Sequence, residues 1–515
     1  MLRLALSLVT VLLVGLTESA TAQPGGGAGL GNAAGANGLG LNGPLGGGSN
    51  GGGQGQGGGA NADFDSLIDL IVSTVAPDAW AENGGGAGEV RPFPSGVWLD
   101  AGREIETKLT TVAPPTTAPP RRAAVGATRE STRNRSPLRY VSLPRLEAEI
   151  AKRIAEDEPL DEAMLTLAGL RRVERIHVVP PQGGRPGDLL VAGPAGDWRL
   201  DADRRLVATD TGLAVARLDD LLTLLRREWV GDAAAAFGCS ITPRQSALAA
   251  TQRLLNETNA TPLRPGKRGA WLESIRSMLG PQDVEVFGVD PQSNAARVLV
   301  EADHHMKQLG LGVVEHEAVD SYMDRVERAM RLGAAAAPLS VLRWWFVAEY
   351  DAVERSADGR FYRLRGEGVR VLSENELLSR RGERLHTGEA DEPTQGFADD
   401  FTENFATLCR AFPVYSELRN AFDLAMVAAL VHRDGLAEAA GWRPTLFADR
   451  LRTPALRVAT EVETLATSRV VRKTQILAAV SGGVWVDPES AERVKTADTP
   501  SPGTPNGGVW WWDAR

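Results

Sequence analysis

Arg175-Ile176-His177-Val178-Val179, a break from Pro180 to Gly187, then Asp188-Leu189-Leu190-Val191-Ala192: this stretch decides the fold class. Two aliphatic, β-branched runs on either side of a Pro/Gly-rich turn read as strands joined by a short loop, an antiparallel hairpin. The spacing predicts two more. Val284–Val289 is expected to pair with Ala296–Val300 across Asp290–Asn294, and Trp344–Tyr350 with Phe361–Leu364 through the tight-turn dipeptide Asp358-Gly359. Hairpins imply antiparallel pairing, and helices then cover one face of the sheet. The expected fold is α+β over residues 138–488, one continuous body with room for two subdomains.

The helices follow from apolar spacing. Leu218, Leu221, Leu222 and Leu225 form one stripe, and Phe397, Phe401, Phe405 and Leu408 form another. A third helix begins after Pro413 and carries Leu418, Phe422, Ala425, Met426, Ala429 and Leu430, broad enough for burial on most sides. Asp423 is the misplaced polar group in it. With Arg419 one turn back, an i,i+4 ion pair and a catalytic carboxylate are its two readings.

Outward from this body the composition changes. Residues 107–136 read as a linker, first Thr/Pro-rich and then basic, with Arg121, Arg122, Arg129, Arg133 and Arg135 against the single Glu130. A solvated spacer and a contact with an anionic envelope polymer are its two readings. Residues 64–106 form a small module. Leu67, Ile68, Leu70, Ile71 and Val75 fall at helical spacing before Pro77, and strand-like pieces follow around Val90 and Val97-Trp98-Leu99. Residues 23–60 are about half Gly and uncharged, the composition of a disordered, flexible tether.

Residues 1–22 carry Arg3, an apolar run from Leu4 to Leu16, and Ala20-Thr21-Ala22, the order of a secretory signal peptide. That run is too short for a membrane span, and no transmembrane segment is expected after signal cleavage. The protein is expected to be exported, to the periplasm or the exterior. Two cysteines, Cys239 and Cys409, permit one disulfide there, worth about 4 to 5 kcal/mol in the chain-entropy picture; two separately buried thiols are the alternative. The formal net charge of -10 argues against a nucleic-acid partner.

Several stretches resemble an uncharacterised family of exported bacterial proteins, mainly planctomycete, known only as a domain of unknown function. They are Gly187–Trp198, Phe237–Ile241, Arg297–Lys307, Leu342–Phe346, Val371–Glu376, Pro413–Asn420 and Val480–Val484. The resemblance implies export and brings no reaction or active site with it. Trp80 and the run Gly84–Val90 more weakly resemble a segment of secretin-type proteins, which points toward assembly.

Common chemistries lack their residues. His304, His305 and His316 lie near Glu301 and Glu317, but adjacent His residues on a helix point about 100° apart, and no H-E-x-x-H occurs. Asp303 reads as a helix N-cap before Met306. Gly266-Lys267 lacks the rest of a phosphate loop, and Leu309-Gly310-Leu311-Gly312 lacks the third Gly of a dinucleotide fingerprint. No G-x-S-x-G elbow is present. No catalytic residue, metal site or cofactor is assigned.

The last stretch, residues 495–515, ends in Trp510-Trp511-Trp512-Asp513 and is expected as a flexible tail. It either folds back into a groove of its own domain, docks on an envelope protein partner, or stacks on glycans. The 64–106 module is the other expected partner contact. The function expected is a non-enzymatic binding or assembly protein of the cell envelope. An exported hydrolase, metal-dependent or not, and a carbohydrate-binding protein resting on Trp510–Trp512 and the Trp344-Trp345 pair are the alternatives. Signal cleavage after Ala22 predicts a mature protein beginning at Gln23; N-terminal sequencing of the exported form checks it, and an intact Met1 in that form refutes it.

Overall fold

The computed structural model describes residues 89–93, 96–100 and 130–514, apart from breaks at 231–235, 259–267, 335–338, 379–383, 472–473, 489–493 and 504–508. The expected signal peptide, the tether, the helical part of the small module and the linker up to residue 129 lie outside the described residues. The chain divides into two units, Gly35–Ala118 and the remainder. In the first, β1 (Glu89–Phe93) and β2 (Gly96–Asp100) pair antiparallel, with Val90 opposite Leu99.

The larger unit starts at a 3-10 turn, Glu130–Arg133, before the expected Leu138. Arg133 bonds Asp197 at 2.5 Å and stacks over Trp198, so the end of the basic stretch already belongs to the body. In chain order come β3 (Ser136–Ser142), α1 (Leu143–Ala155), α2 (Glu162–Leu165), β4 (Arg175–Val179) and β5 (Asp188–Ala195). There follow β6 (Trp198–Leu200), β7 (Leu206–Ala208), α3 (Leu218–Val230), β8 (Phe237–Pro243), α4 (Gln245–Thr258) and α5 (Arg268–Leu279). Next are β9 (Gln282–Phe287), α6 (Asn294–Gly310), α7 (Tyr322–Arg331), β10 (Leu339–Ala348), β11 (Ala352–Arg355), β12 (Phe361–Arg365), β13 (Val369–Leu378) and β14 (Arg384–Leu385). The last are α8 (Glu392–Glu403), α9 (Phe405–Ala411), α10 (Pro413–Arg433), α11 (Leu436–Ala439), β15 (Glu461–Val462), β16 (Ala466–Val471), β17 (Thr474–Val486), β18 (Val494–Thr496) and β19 (Trp511–Asp513).

Two mixed sheets result, and the fold is α+β. One has seven strands in the order β18-β11-β12-β4-β5-β3-β19. The other follows the path β14-β13-β10-β17-β8-β9-β15, with β16 beside the first half of β17. The first expected hairpin is present as β4–β5, with His177 opposite Leu190. Most pairs are antiparallel, but β10–β17 and β11–β18 run parallel, which hairpin spacing does not reveal.

The second expected hairpin is wrong. Ala296–Val300 lies in α6, where Ser293 Oγ caps the Ala296 N–H at 3.1 Å and Ala295, Val298, Leu299, Ala302, Met306 and Leu309 form a buried helical stripe. Over five residues that stripe passes for a strand; over seventeen it does not. Asp303 is accordingly no N-cap but a fully buried residue in mid-helix. The third hairpin keeps its Asp358-Gly359 turn, yet its first strand is β11. Trp344 and its neighbours form β10, central to the other sheet and paired with β13 and β17. The Phe stripe breaks at Asn404 into α8 and α9, and all four of its residues are buried.

α10 is the centre of the body. It is buried from Val414 almost without interruption to Val431, packing on α3 and α6. α6 in turn lies on β8, β10 and β17, α8 lies on β13, and α1 lies on β3 and β5. One buried apolar cluster runs through both sheets and these helices.

Asp423 is not paired with Arg419, which bonds Glu367 at 2.6 Å instead. Its carboxylate is gripped by Arg172, Nε to Oδ2 at 2.9 Å and Nη2 to Oδ1 at 3.0 Å, and accepts from Tyr350 Oη at 3.0 Å. Arg172 also donates to the Gly366 carbonyl at 3.1 Å. Asp423→Ala strands a buried guanidinium and is expected to cost about 3 to 5 kcal/mol in urea unfolding, against roughly 1 kcal/mol for Tyr350→Phe. Equal midpoints for Asp423→Ala and the parent chain would refute the role assigned to this pair.

Candidate functional site: the border of the seven-stranded sheet

β3 carries Arg139 at the sheet border with its side chain fully buried. All five guanidinium N–H groups are engaged. Nη1 donates to the carbonyls of Thr132 at 2.6 Å and Ala168 at 2.8 Å, and Nη2 to that of Asn134 at 3.0 Å. Nε and Nη2 then hold the Asp513 carboxylate at 2.7 and 3.2 Å. The seat is therefore built mostly by β3 and its neighbours, with a fork left for an acidic residue.

The Trp-rich segment expected as a flexible tail is a strand on this border. Trp511, Trp512 and Asp513 stand opposite Val141, Tyr140 and Arg139 in an antiparallel ladder. It is extended by bonds from Ser142 N–H to the Trp510 carbonyl at 2.8 Å and from Ala514 N–H to the Leu138 carbonyl at 2.9 Å. Each indole has its own contact. Trp510 is buried in the main core, the Trp511 ring lies 4.7 Å from Arg139 Cζ, and Trp512 stacks on Tyr140 with centroids 5.7 Å apart. Burial of aromatic area and the Asp513 fork outweigh the entropy of a free arm.

Upstream, β18 pairs with β11 at the opposite border, and Ala497 N–H donates to the Arg355 carbonyl at 3.0 Å. Ser501 and Pro502 then accept from Tyr140 Oη at 3.4 Å and Trp512 Nε1 at 3.0 Å. The segment from β18 to β19 thus supplies both border strands, and its Ser501-Pro502 part rests on the face carrying Tyr140.

The histidines do not converge. His305 Nδ1 is 2.7 Å from Tyr415 Oη, and His305 and His316 pack on Phe412 with centroids 4.6 and 5.5 Å away. His304 points elsewhere with Nδ1 unpartnered, and burial, with Lys307 and His305 nearby, pushes its pKa down to about 4. Glu301 binds Arg205 and Arg297, and Glu317 is exposed. Among the described residues no group of three His, Cys, Asp or Glu is placed to hold a metal ion.

Cys239 and Cys409 are separate buried thiols. Burial raises both, Cys409 to about 12, which leaves neither a thiolate nucleophile at neutral pH. Asp303 pairs with Lys307 at 2.5 Å, both fully buried, on the side of α6 where Gly482 of β17 leaves room for the Lys307 stem. Trp344 is core, its Nε1 bonded to the Thr394 carbonyl at 3.1 Å, whereas Trp345 faces the other side of the sheet.

A partly buried charge cluster between α3, α6 and α10 escapes the sequence reading. Arg205 and Arg297 both bind Glu301 and Glu417, and Arg297 also bonds Asn294. Asn294 Nδ2 donates to Asp220 Oδ2 at 2.9 Å, while Asp220 Oδ1 has no hydrogen-bond partner among the described residues. Burial, with Asp219 beside it and only partly offset by Arg217, pushes the Asp220 pKa up to about 7. An Arg-x-Asp-Asp run at Arg217–Asp220 on the polar margin of a Leu stripe was the available signal.

The body is an α+β protein whose sheet border is occupied by its own terminal strand. Residues 239–322, from β8 to the start of α7, match a family described as a protein of unknown function, DUF1598. No curated protein and no solved structure matches the chain. Among the described residues no helix is long and apolar enough to cross a membrane.

Asp220 gives a pH dependence with a defined sign. Its folded pKa lies above the usual carboxylate value, so the folded chain holds that proton where the unfolded chain has released it. Its contribution is complete below about pH 4 and lost as pH rises to about 7. Relative to Asp220→Asn, the parent chain is expected to lose urea midpoint between pH 4 and 8. Parallel midpoints across that range would refute the assignment.

Proposed function

We propose that this chain is an exported, non-catalytic binding and assembly protein of the cell envelope, and that its terminal Trp strand is exchanged between copies. The observation that carries the reading is the seat at Arg139. Three of its five bonds go to carbonyls of the body, leaving a prebuilt fork and an unpaired strand edge for an aromatic-acidic strand. The same strand from a second copy reproduces every contact of β19, the condition under which strand exchange costs little. Export rests on the signal-like residues 1–22 and on the resemblance to exported planctomycete-type proteins. Hydrolysis has less support, because the carboxylates of the body are largely engaged by Arg partners and the thiols are buried.

The test uses full-length Leu138→Cys/Ala514→Cys, positions facing each other at the end of the β3–β19 ladder. Oxidised over a range of concentrations, it is expected to yield disulfide-linked dimers in increasing proportion beside the internally bridged monomer. Internally bridged monomer alone at every concentration overturns the exchange, and free thiols at both positions overturn the seat.

A further inference from the structure

The outer side of the other sheet carries a second surface, independent of the tail. Along β10, Leu342, Trp344 and Phe346 point into the core, so Arg343 and Trp345 point outward. The registers place Glu374 and Ser481 beside Arg343, Gly483 beside Trp345, and Gly238 between Trp485 and Phe287, all on that outer side. α4 and α5 cover one end of this face through Leu248, Trp271, Ile275 and Leu279 against Ala466 and Ala479. The end toward Trp485 is open: its indole is 51% exposed, the one exposed aromatic among the large hydrophobics of the described residues.

Two halves meet there. The aromatic half is Trp485, tilted against Phe287 at 5.5 Å, and Trp345, which lies diagonally across from Trp485 on the next strand. Gly238 between Trp485 and Phe287, and Gly483 beside Trp345, put no side chain between these rings. The polar half begins at Arg343, whose Cζ is 4.4 Å from the Trp345 centroid and whose Nη1 donates to Glu374 Oε2 at 3.1 Å. His386 Nδ1 lies 3.3 Å from Glu374 and 3.4 Å from Glu376. Arg384 holds Glu376 at 2.8 and 2.5 Å and reaches Ser481 Oγ at 2.9 Å. The two Arg and two Glu of the polar half cancel, and on the aromatic side the exposed Glu285 of β9, two residues from Phe287 on the same face, adds a negative charge. From β9 to β13 it crosses four strand spacings, about 19 Å.

The geometry points to a binding strip for a neutral, hydroxyl-rich polymer, a glycan chain whose ring faces stack on Trp485 and Trp345 while its hydroxyls bond Arg343 and His386. One exposed and one partly exposed indole beside donors and acceptors match a ligand that is apolar on its faces and polar at its rim. Charge balance excludes an anionic polymer as the favoured occupant, because each guanidinium already has its carboxylate. A glycosidase acid needs a raised pKa, and at Glu374 the Gly388 N–H, Arg343 and His386 outweigh burial and hold it below its ordinary value.

The experiment is affinity electrophoresis of the full-length protein in gels containing hydroxyethylcellulose, glycol chitin, xylan, mannan or dextran, with alginate and heparin as acidic probes. Retardation is expected on at least one neutral polymer, reduced at least tenfold in apparent affinity by Trp485→Ala and by Trp345→Ala, and unaltered by Leu332→Ala at another exposed site. Trp485→Ala alters a half-exposed side chain and serves as the variant that keeps its fold; Trp345→Phe, which retains a ring, is expected to recover part of the loss. Migration unaltered by every neutral polymer overturns the proposal, as does retardation indifferent to both Trp changes or confined to alginate and heparin. None of these residues touches β3 or β19, so the outcome is separate from that of the strand-exchange test.

Discussion

Asp423 lies near the midpoint of a helix that meets solvent almost nowhere, and a carboxylate there must be met by donors brought from elsewhere in the chain. Arg172 arrives from the stretch before β4 and Tyr350 from the turn after β10, while the Gly366 carbonyl, from the turn after β12, accepts from Arg172 in turn. The pair therefore fixes both sheets against one helix. Around it the apolar cluster can be a single core, because the charge at the place where the layers meet is neutralised.

Other buried charges follow the same rule at smaller scale. Glu147 accepts from Trp442 Nε1 at 2.6 Å and from the N–H groups of Thr445, Leu446 and Phe447 at 2.7 to 2.9 Å, anchoring the stretch after α11 to α1. Asp303 and Lys307 satisfy one another within α6. Such groups contribute specificity of packing more than net stability, since each would cost heavily if mispaired.

The sequence-level reading succeeds where the signal is local. The β4–β5 hairpin, the Leu stripe of α3, the aromatic stripe of α8 and α9, and α10 after Pro413 all rest on periodicity within one element, and all are present. It fails at Ala296–Val300 because five aliphatic residues suit either period, and the capping Ser293 that decides for helix also resembles a turn residue. It fails at Asp423 because the nearest cation in sequence is not the nearest in space. The border seat was half legible: three terminal Trp demanded cover, but nothing in the run around Arg139 announced that its guanidinium faces inward. The outer strip was legible only as the Trp344-Trp345 pair, of which just one ring faces outward; Trp485 comes from a strand more than a hundred residues later.

The two border strands of the seven-stranded sheet both come from the final segment of the chain. Synthesis runs from the N-terminus, so the five inner strands are made before either border strand. Until the last residues appear, both rims show unpaired backbone groups, and the sheet is open to any passing strand. A cut between Thr496 and Trp511 would open only the rim at β3, whereas a cut before Val494 would open the rims at both β3 and β11.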